Sequence, residues 1–346
     1  MRSEVLVTGA TGFVGRRMVS LLARQGVATR ALGLPVESAT ARTLGAAGLQ
    51  YGDSVAHELV EPAWGDLTDP EVSQQALEGV RAVIHLAAVV SDWPVGALHR
   101  AVTVDGTRHL LEAAAARGVH VVLVSSIVVY GEALGRESCP EEHPHGPPIG
   151  VYGRSKQAQE RLAWELEASR GLRLTIVRPG NIFGPDSPHF VHGVLKQMRF
   201  RFPCMASGGH QDAGLCYVEN LCDLLARSLS NPLAVGRTYN ANDGSGVTWR
   251  QYFADLARLA GAPRPRSLPL ALYRPATHLA EAAYARLLHR RPPMTREALN
   301  LIGADHRVPI DRARRELGYG PPHRYEDALS AIGRALAASP AVRPVS

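Results

Sequence analysis

Tyr152 and Lys156 are four residues apart in the segment Tyr152-Gly-Arg-Ser-Lys156. On a helix, this spacing places both side chains on one face, about one turn apart. A neighbouring ammonium favours the phenolate and so lowers the pKa of a phenol. Of the 38 lysines and arginines, only Lys156 and Lys196 are lysines, and the planar guanidinium of arginine does not replace a compact ammonium. The pair therefore predicts a phenol that transfers protons.

A glycine-rich loop near the start of the chain is the second group of residues that could do chemistry. It separates an apolar strand pattern at 5–7 from a helical pattern that begins near residue 13. Such a loop brings backbone N–H groups and a helix N-terminus close to a pyrophosphate. An ordinary glycine-rich turn is the alternative, but the Tyr/Lys pair argues against it. The expected nucleotide contacts are Gly9, Thr11, Gly12, Phe13, Val14 and Gly15.

The elements that must position these residues alternate along the first half of the chain. Strand patterns occupy 4–8, 27–32, 82–88, 120–125 and 173–178, and helical patterns lie near 13–25, 71–79, 98–117 and 152–170. Alternation of this kind predicts an α/β fold with a Rossmann-type, doubly wound parallel sheet. After Pro179 the alternation loosens and the chain is richer in Pro, Gly and Arg, and we expect a smaller C-terminal lobe there.

Six segments together resemble the extended short-chain dehydrogenase/reductase family. Besides the glycine loop and the Tyr/Lys pair, they are 65–69, 84–88, 125–131 and 178–185. They occur in the family's order and spacing over nearly the whole chain. Three features are most similar to the 3β-hydroxysteroid dehydrogenase and dihydroflavonol-reductase-like branches: Ser-Ser-Ile at 125–127, Tyr-Val-Glu-Asn at 217–220, and the late segments 292–295 and 316–319.

The resemblance implies a division of the chain. It places an NAD(P)-binding Rossmann domain at 1–180, to which 213–240 crosses back. It places the substrate-binding lobe at 181–212 and 241–335. We expect residues 336–346 to form a flexible tail.

The resemblance also implies a catalytic serine before Tyr152. Counting back from Val129-Tyr130-Gly131 assigns Ser126, which would donate a hydrogen bond to the substrate oxygen while Tyr152 exchanges its proton. Ser125 is the competing residue, with the alternative role of closing the end of a strand. Lys156 would hold the nicotinamide ribose as well as tune Tyr152.

Further cofactor contacts follow from the same resemblance. Asp66 and Leu67 would lie around the adenine, and capping of the helix that begins near Asp69-Pro70 is the alternative for an acid in this segment. Ala87 and Ala88 would let the cofactor lie close to a strand end, unless they are small only for packing. Pro179 and Lys156 complete the expected set. His85 is predicted to be a hydrogen-bonded core histidine.

The residues leave the choice between NAD and NADP open. An acid at the end of the second strand would bind the ribose 2′-OH of NAD, and an arginine would accept the 2′-phosphate of NADP. The strand ends Leu32-Gly33-Leu34, which supplies neither. Arg16, Arg17 or Arg42 could reach a phosphate, with a surface charge as the equal alternative for each, and we favour NADP(H) over NAD(H).

The substrate is expected to be uncharged and partly apolar. Sugar-nucleotide enzymes carry basic residues near the segment that corresponds to 210–219, and this segment contains no Arg or Lys. Asn181 and Phe183 are predicted substrate contacts, together with Ser126 and Tyr152. Phe190, Met198 and Phe202 could line the same pocket, and core packing is the alternative for all three and for Phe183.

Composition narrows the class of protein and its partners. The formal charge of +6 arises from scattered arginines, so we expect no nucleic-acid partner. The longest apolar run, 82–90, is too short to span a membrane. Four unevenly spaced cysteines predict buried thiols and no metal site. With no signal-peptide pattern at the start, we expect a cytoplasmic enzyme without metal.

Three functions remain open. The first is an NAD(P)H-dependent ketone or alcohol oxidoreductase acting on a hydrophobic metabolite, and the second is a sugar-nucleotide epimerase or dehydratase that retains its cofactor. The third is a nucleotide-sensing protein without turnover. Apolar residues on helices 98–117 and 152–170, together with the family resemblance, imply a homodimer built as a four-helix bundle.

Overall fold

The computed structural model describes residues 3–49 and 52–338. A seven-stranded, wholly parallel sheet forms its centre, with the strand order β10-β6-β5-β4-β1-β2-β3. Two further parallel pairs, β8 with β11 and β7 with β9, lie outside it. The strands are β1 Val5–Thr8, β2 Thr29–Gly33, β3 Val60–Trp64, β4 Ala82–His85, β5 His120–Val124, β6 Leu174–Pro179, β7 Asn181–Phe183, β8 Pro203–Ala206, β9 Leu215–Tyr217, β10 Arg237–Ala241 and β11 Arg266–Leu268.

Helices cover both faces of the sheet and build the second lobe. The α-helices are α1 Phe13–Arg24, α2 Ala39–Ala46, α3 Pro70–Ala76, α4 Leu98–Arg100, α5 Thr107–Ala116, α6 Val151–Arg170, α7 Val194–Arg199, α8 Val218–Ser230, α9 Trp249–Ala260, α10 Leu270–Ala283, α11 Arg296–Gly303, α12 Asp311–Leu317 and α13 Tyr325–Ala338. Short π-helical segments follow α4, precede α7 and follow α10, at Ala101–Gly106, Pro188–Gly193 and Tyr284–Leu288.

The central strands are mostly apolar because helices cover the sheet on both sides. Every residue of β1, β4, β5 and β6 is buried. One apolar core includes residues of α1 and α8, and the other includes residues of α3, α5 and α6. The predicted doubly wound parallel sheet is confirmed.

Two elements differ from the sequence-based expectation. The segment 33–64 contains α2, whose N-terminus is capped by Ser38 accepting the N–H of Ala41 at 3.0 Å. The helix predicted at 98–117 is interrupted by a π-helical segment, where the hydroxyl of Thr103 accepts the Val89 N–H at 3.0 Å. That side-chain bond ties the segment to the loop after β4.

The C-terminal half builds a second lobe and returns once to the sheet. Segment 215–241 forms β9, α8 and β10, and β10 extends the sheet beside β6. The lobe contains β8, β11, α7 and α9 to α11. Of the tail expected at 336–346, residues 336–338 belong to α13, where Leu336 is buried against the core. Residues 339–346 lie outside the described part of the chain.

All four cysteines are buried and free, as the sequence predicts. Burial raises the pKa of Cys139 and of Cys204 to about 11, so both thiols stay protonated near neutral pH. Across residues 3–49 and 52–338, no helix combines the length and the apolar composition that crossing a membrane requires.

Candidate active site

Helix α6 brings Tyr152 and Lys156 together. It begins after Gly150 and ends at Gly171, whose φ of 64° gives a left-handed C-cap that favours glycine. Both residues lie in the first two turns, on the one-turn spacing that the sequence predicts. Lys156 is only 3% exposed, so its ammonium acts inside the protein and not at the surface.

Ser126 ends the segment that follows β5 and caps the 3₁₀ turn Ile127–Ala133. Its hydroxyl lies within hydrogen-bonding reach of the Tyr152 phenol. The hydroxyl of Ser125 is buried near Glu160 and forms no hydrogen bond within the described chain. Of the two candidate serines, Ser126 is therefore the one that faces Tyr152.

The pKa of Tyr152 moves in the direction opposite to the sequence-based expectation. Burial raises the pKa of this phenol above its usual value, and the carboxylate of Glu297 adds to the rise. The hydrogen bond with Ser126 opposes the rise without cancelling it. Lys156 does not lower this pKa in the free protein, because its ammonium is directed to other acceptors. Near neutral pH Tyr152 therefore carries its proton.

Those acceptors are the backbone carbonyl of Val124 and the side-chain oxygen of Gln159. Lys156 Nζ donates to each at 2.9 Å. Burial lowers the pKa of Lys156 to about 7, although the carboxylate of Glu160 opposes the shift. Lys156 thus titrates in the physiological range while two fixed oxygens hold its amino group.

Gln159, which accepts a hydrogen bond from Lys156, also belongs to a buried network of hydrogen bonds. Its amide donates to the hydroxyl of Thr107 at 2.8 Å, and that hydroxyl donates to the Thr103 carbonyl at 2.7 Å. Thr107 therefore has no proton left for His85, whose Nε2 lies 2.8 Å away. His85 must donate from Nε2.

The other ring nitrogen of His85 reaches the glycine loop. Nδ1 lies 2.7 Å from the hydroxyl of Thr8, the last residue of β1. Since Nε2 carries the proton, Thr8 donates to Nδ1, and its oxygen accepts the N–H groups of Leu86 and Ala87 at 3.2 Å. Burial lowers the pKa of His85 to about 3, so the ring is neutral. His85 is the hydrogen-bonded core histidine that the sequence predicts.

Glu297 is a part of the site that the sequence does not reveal. This residue of α11 accepts the N–H of Gly153 at 2.6 Å and of Tyr152 at 3.3 Å, and so caps the N-terminus of α6. Burial, with the nearby charge of Asp92, raises the pKa of Glu297 to about 7 against the effect of the N–H donors. A carboxylate from the second lobe thus stabilises the helix that carries Tyr152.

A buried ion pair fixes the other side of α6. Arg178 at the end of β6 donates two hydrogen bonds to Glu160, at 2.7 and 3.0 Å. Burial alone would raise the pKa of Glu160, but hydrogen bonds from His145 and Arg178 lower it to about 2. Tyr130 joins the cluster, accepting from Arg178 at 3.1 Å and donating to Asn240 at 2.7 Å. These contacts hold α6 against the sheet.

The glycine loop has the shape and the free donors that a pyrophosphate needs. Gly9 has a φ of 65°, and a Cβ there would lie 2.9 Å from the backbone nitrogen of Ala87. A Cβ at Gly15 would lie 2.1 Å from the Gly9 carbonyl oxygen. Within the described chain, no side chain caps α1 at Gly12 and its first turn holds no acid. The N-terminus of α1 therefore suits the phosphates of a dinucleotide.

The other expected cofactor residues surround the same edge of the sheet. Asp66 accepts the N–H and hydroxyl of Thr68 at 3.0 and 2.9 Å, which closes a local turn. Asp69 caps α3 by accepting the N–H of Glu71 at 2.9 Å, which is the alternative role considered for it. Leu67 is buried, and Ala87, Ala88 and Pro179 follow or end neighbouring strands.

One of the three arginines considered for a 2′-phosphate is engaged elsewhere. Arg17 pairs with Asp186 at 3.5 Å and with Glu219 at 3.8 Å, on the side of the second lobe. Arg16 lies against the backbone of Gly52, and Arg42 is exposed on α2 with a hydrogen bond to the Glu37 carbonyl. Arg16 and Arg42 remain the candidates.

The residues expected to contact substrate after β6 pack as core residues. Asn181 is 3% exposed, and its amide donates to the Ala213 carbonyl at 2.7 Å. Phe183 has no exposed surface and contacts the rings of Tyr217, Tyr252 and Tyr325. In this packing neither side chain offers a surface to a substrate.

The same holds for the aromatic pocket expected nearby. Met198 is buried, Phe190 stacks on Trp249 at 5.9 Å between ring centroids, and Phe202 packs against the core. β7 pairs with β9, and the segment after β7 packs toward the interior. Phe190, Met198 and Phe202 therefore pack in the core, which is the alternative considered for them.

A cavity of about 460 Å³ lies instead at the N-terminal turn of α6. It is bounded by that turn, by α10 and α11, and by the loop after β4. Its apolar lining is Trp93, Pro94, Ile149, Val151, Ala282 and Ala285. Arg154, Glu281 and Glu297 are among its polar lining residues. Sequence patterns could not indicate this site, because four separate segments meet there.

Comparison with known proteins agrees with this geometry. Residues 5–241 match the model of the NAD dependent epimerase/dehydratase family. The chain is 28% identical to a 4-hydroxy-2-methyl-3-oxo-4-farnesyl-3,4-dihydroquinoline-1-oxide ketoreductase from Stigmatella aurantiaca, over 99% of both chains. It is 32% identical to an N-acetyl-alpha-D-glucosaminyl-diphospho-ditrans,octacis-undecaprenol 4-epimerase from Escherichia coli O157:H7, over 74% of this chain and 72% of the relative. The solved structure of gox2253 superposes with a TM-score of 0.74 at 26% identity, over 97% of each chain.

Proposed function

The chain belongs to the NAD-dependent epimerase/dehydratase family and is an NAD-dependent enzyme of oxidoreductase type, and from that premise we propose that it reduces the ketone of a hydrophobic metabolite, or oxidises the corresponding secondary alcohol. The observation that carries the proposal is the group formed by Ser126, Tyr152 and Lys156. A cavity with an apolar lining lies at the N-terminal turn of the same helix, where Val151 lines it. A ketone, a reduced nicotinamide and a proton would give an alcohol and the oxidised cofactor.

The bound cofactor would supply the hydride to the carbonyl carbon. Tyr152 would give its phenolic proton to the carbonyl oxygen, and Ser126 would hold that oxygen through a hydrogen bond. Burial keeps Tyr152 protonated near neutral pH, which is the form that a reductase needs. Lys156 would stabilise the phenolate left after proton transfer and bind the nicotinamide ribose.

The lining of the cavity supports a hydrophobic substrate. Six of its residues are apolar, and the segment 210–219 lacks the basic residues that would bind a substrate diphosphate. The Stigmatella relative is named for a ketone that carries a farnesyl chain. These points favour a carbonyl compound with a bulky hydrocarbon part.

We propose NADP(H) as the preferred cofactor, with NAD(H) as the alternative. The end of β2 at Gly33 offers no acid for a ribose 2′-OH, while Arg16 and Arg42 are cations near the glycine loop and on α2. The family description names NAD, so the two cofactors have to be compared directly.

An epimerase that retains its cofactor is the second candidate function. The Escherichia coli relative is named as an epimerase of a lipid-linked sugar diphosphate, and its polyprenyl chain is also apolar. An epimerase oxidises and then reduces the same carbon, so the same three residues would serve. The two functions differ in whether the cofactor leaves the protein.

Purified protein should first be tested for cofactor that remains bound through gel filtration. A panel of ketones with large hydrocarbon groups should then be assayed with NADH and NADPH in parallel, by the absorbance of the reduced nicotinamide. Exchangeable cofactor with ketone-dependent oxidation is expected. Retained cofactor without net oxidation would favour the epimerase. Cofactor binding without any turnover would leave only a nucleotide sensor.

A further inference from the structure

Helix α10 and the turn after it expose an unusual amount of apolar surface. Nine large apolar side chains are exposed in the described chain, and four of them lie here. These four are Leu272, Leu279, Leu287 and Leu288, exposed by 63%, 73%, 77% and 53%. A concentration of this kind marks an interaction surface.

The exposed residues form one stripe along the helix. Leu272, Ala276, Leu279, Ala283 and Leu287 follow one another at steps of four, three, four and four residues. These steps place them on a single face, and all five are exposed. We call this set the α10 stripe.

The helix is anchored with this stripe pointing outward. On a neighbouring face, about a quarter turn around the helix, Tyr273 and Thr277 are buried, and the Tyr273 hydroxyl donates to the Pro203 carbonyl of β8. Arg296 at the start of α11 also bonds to Glu281 through its backbone and its guanidinium. Exposure of the stripe is therefore fixed by packing and does not result from a loose helix.

Cations without carboxylate partners lie at the C-terminal end of the stripe. Among the described residues, Arg286, which borders the stripe, and Arg290, which follows it, form no ion pair. Glu281, the one acid of α10, is neutralised by Arg296. An apolar face bordered by unpaired arginines fits the boundary between the acyl chains and the anionic headgroups of a membrane.

We propose that the α10 stripe docks the protein on an anionic membrane surface, with α10 lying in the plane of the interface. The helix would lie on the membrane and not cross it. The cavity beside α6 is lined by Ala282 and Ala285 of the same helical stretch. These lining positions face largely away from the stripe, so docking would hold the cavity one helix away from the bilayer from which a hydrocarbon-bearing ketone would come, and this last step alone rests on the proposed function.

A second copy of the chain is a less suitable occupant of the stripe. Two copies paired through the stripe about a two-fold axis would place Arg286 of both copies at the border of one interface, which adds like charge to it. Glu281 would not offset this repulsion, because Arg296 already pairs with it. The negative charge that complements this surface has to come from elsewhere.

Flotation with lipid vesicles tests the docking. The full-length protein is mixed with vesicles of phosphatidylcholine alone, or of phosphatidylcholine with phosphatidylglycerol. We expect binding to the anionic vesicles that weakens as salt is raised. The double variant Leu279→Asp/Leu287→Asp should lose about tenfold or more in vesicle affinity, since each change removes a leucine side chain that docking would bury in the membrane interface. Arg286→Glu should weaken binding to anionic vesicles only.

The matched control is Leu233→Asp. Leu233 is 65% exposed, in a 3₁₀ turn that precedes β10. This variant should bind vesicles like the unchanged protein. Absence of wild-type binding, or equal binding by all variants, would refute the docking. So would a stripe variant that changes only the oligomeric state in light scattering.

Activity on a short, water-soluble ketone separates this inference from the proposed function. The double stripe variant should reduce such a ketone at the unchanged rate, because neither leucine lines the cavity. Vesicle binding without reduction of any ketone would refute the ketoreductase and leave the docking intact.

Discussion

Removal of the phenolic oxygen of Tyr152 would abolish proton transfer by this residue and leave the packing of its ring in place. Tyr152→Phe should lower kcat about 10²- to 10⁴-fold, the usual contribution of a positioned acid. Cofactor affinity should stay nearly the same, because the ring and Lys156 remain. The measurement is a steady-state assay alongside a cofactor titration. Turnover near the wild-type rate would remove Tyr152 from the mechanism.

A substitution of Lys156 tests the role of the second residue of the Tyr152/Lys156 pair. The site holds its amino group by contacts of 2.9 Å to two oxygens, a geometry that a planar guanidinium cannot reproduce. Lys156→Arg should therefore weaken cofactor binding and lower kcat together. It should also move the pH–rate profile, since arginine does not titrate near neutral pH. An unchanged profile would contradict the pairing.

Gln159 should act on catalysis through Lys156. A hydrogen-bond acceptor favours the ammonium form, so Gln159→Leu should lower the pKa of Lys156 below its value of about 7. The fall in rate at rising pH, as the ammonium is lost, should then begin at lower pH. Gln157→Leu is the matched control. Gln157 is buried on the same helix but donates to the carbonyls of Val129 and Gly146, so it should affect stability without moving the profile.

At the scale of elements, α11 stabilises α6 through one carboxylate. Glu297→Ala would leave the N–H groups of Tyr152 and Gly153 without their acceptor, at a cost of about 1 kcal/mol in the free energy of unfolding. Glu297→Gln should keep most of that stability because an oxygen remains. It should also lower the pKa of Tyr152, since the carboxylate raises it.

Denaturant unfolding and pH–rate profiles measure these two effects. The profile of Glu297→Gln should shift to lower pH wherever it reports ionisation of Tyr152. Glu281→Gln on α10 is the control, because it removes a carboxylate from the same lobe that does not contact α6. Equal shifts in both variants would show that the effect is one of net charge alone.

Sequence patterns within one segment predict its secondary structure and the spacing of its residues. They do not predict contacts between segments that are far apart in the sequence. The βα units and the Tyr152/Lys156 spacing follow from apolar periodicity and from helix geometry within one segment. Glu297 reaches α6 from 144 residues away in sequence, counted to Gly153, and no periodicity encodes such a contact. Phe183 was ambiguous for the same reason, since an aromatic residue after a strand fits a pocket wall as well as a core.

At the scale of the whole molecule, we predict a homodimer, although the structure leaves less apolar surface free for a second copy than the sequence indicates. Leu110 and Leu111 of α5, like Leu162 and Leu166 of α6, are buried within one chain. What remains half-buried on these helices for a second copy includes Val104 and Trp164. Light scattering should give twice the chain mass of 37.2 kDa at micromolar concentration. A fully active species of 37.2 kDa would contradict the dimer.

The return of the chain to β10 has a consequence for biosynthesis. β10 is made last of the seven strands, and it covers the edge of β6. A nascent chain that stops before residue 237 would leave β6 as an open edge, with the apolar sequence Leu-Thr-Ile-Val at 174–177. Open apolar edges pair with other chains and aggregate. Ribosomes that release this protein early would therefore yield insoluble fragments, whereas chains extended beyond Ala241 would close the sheet.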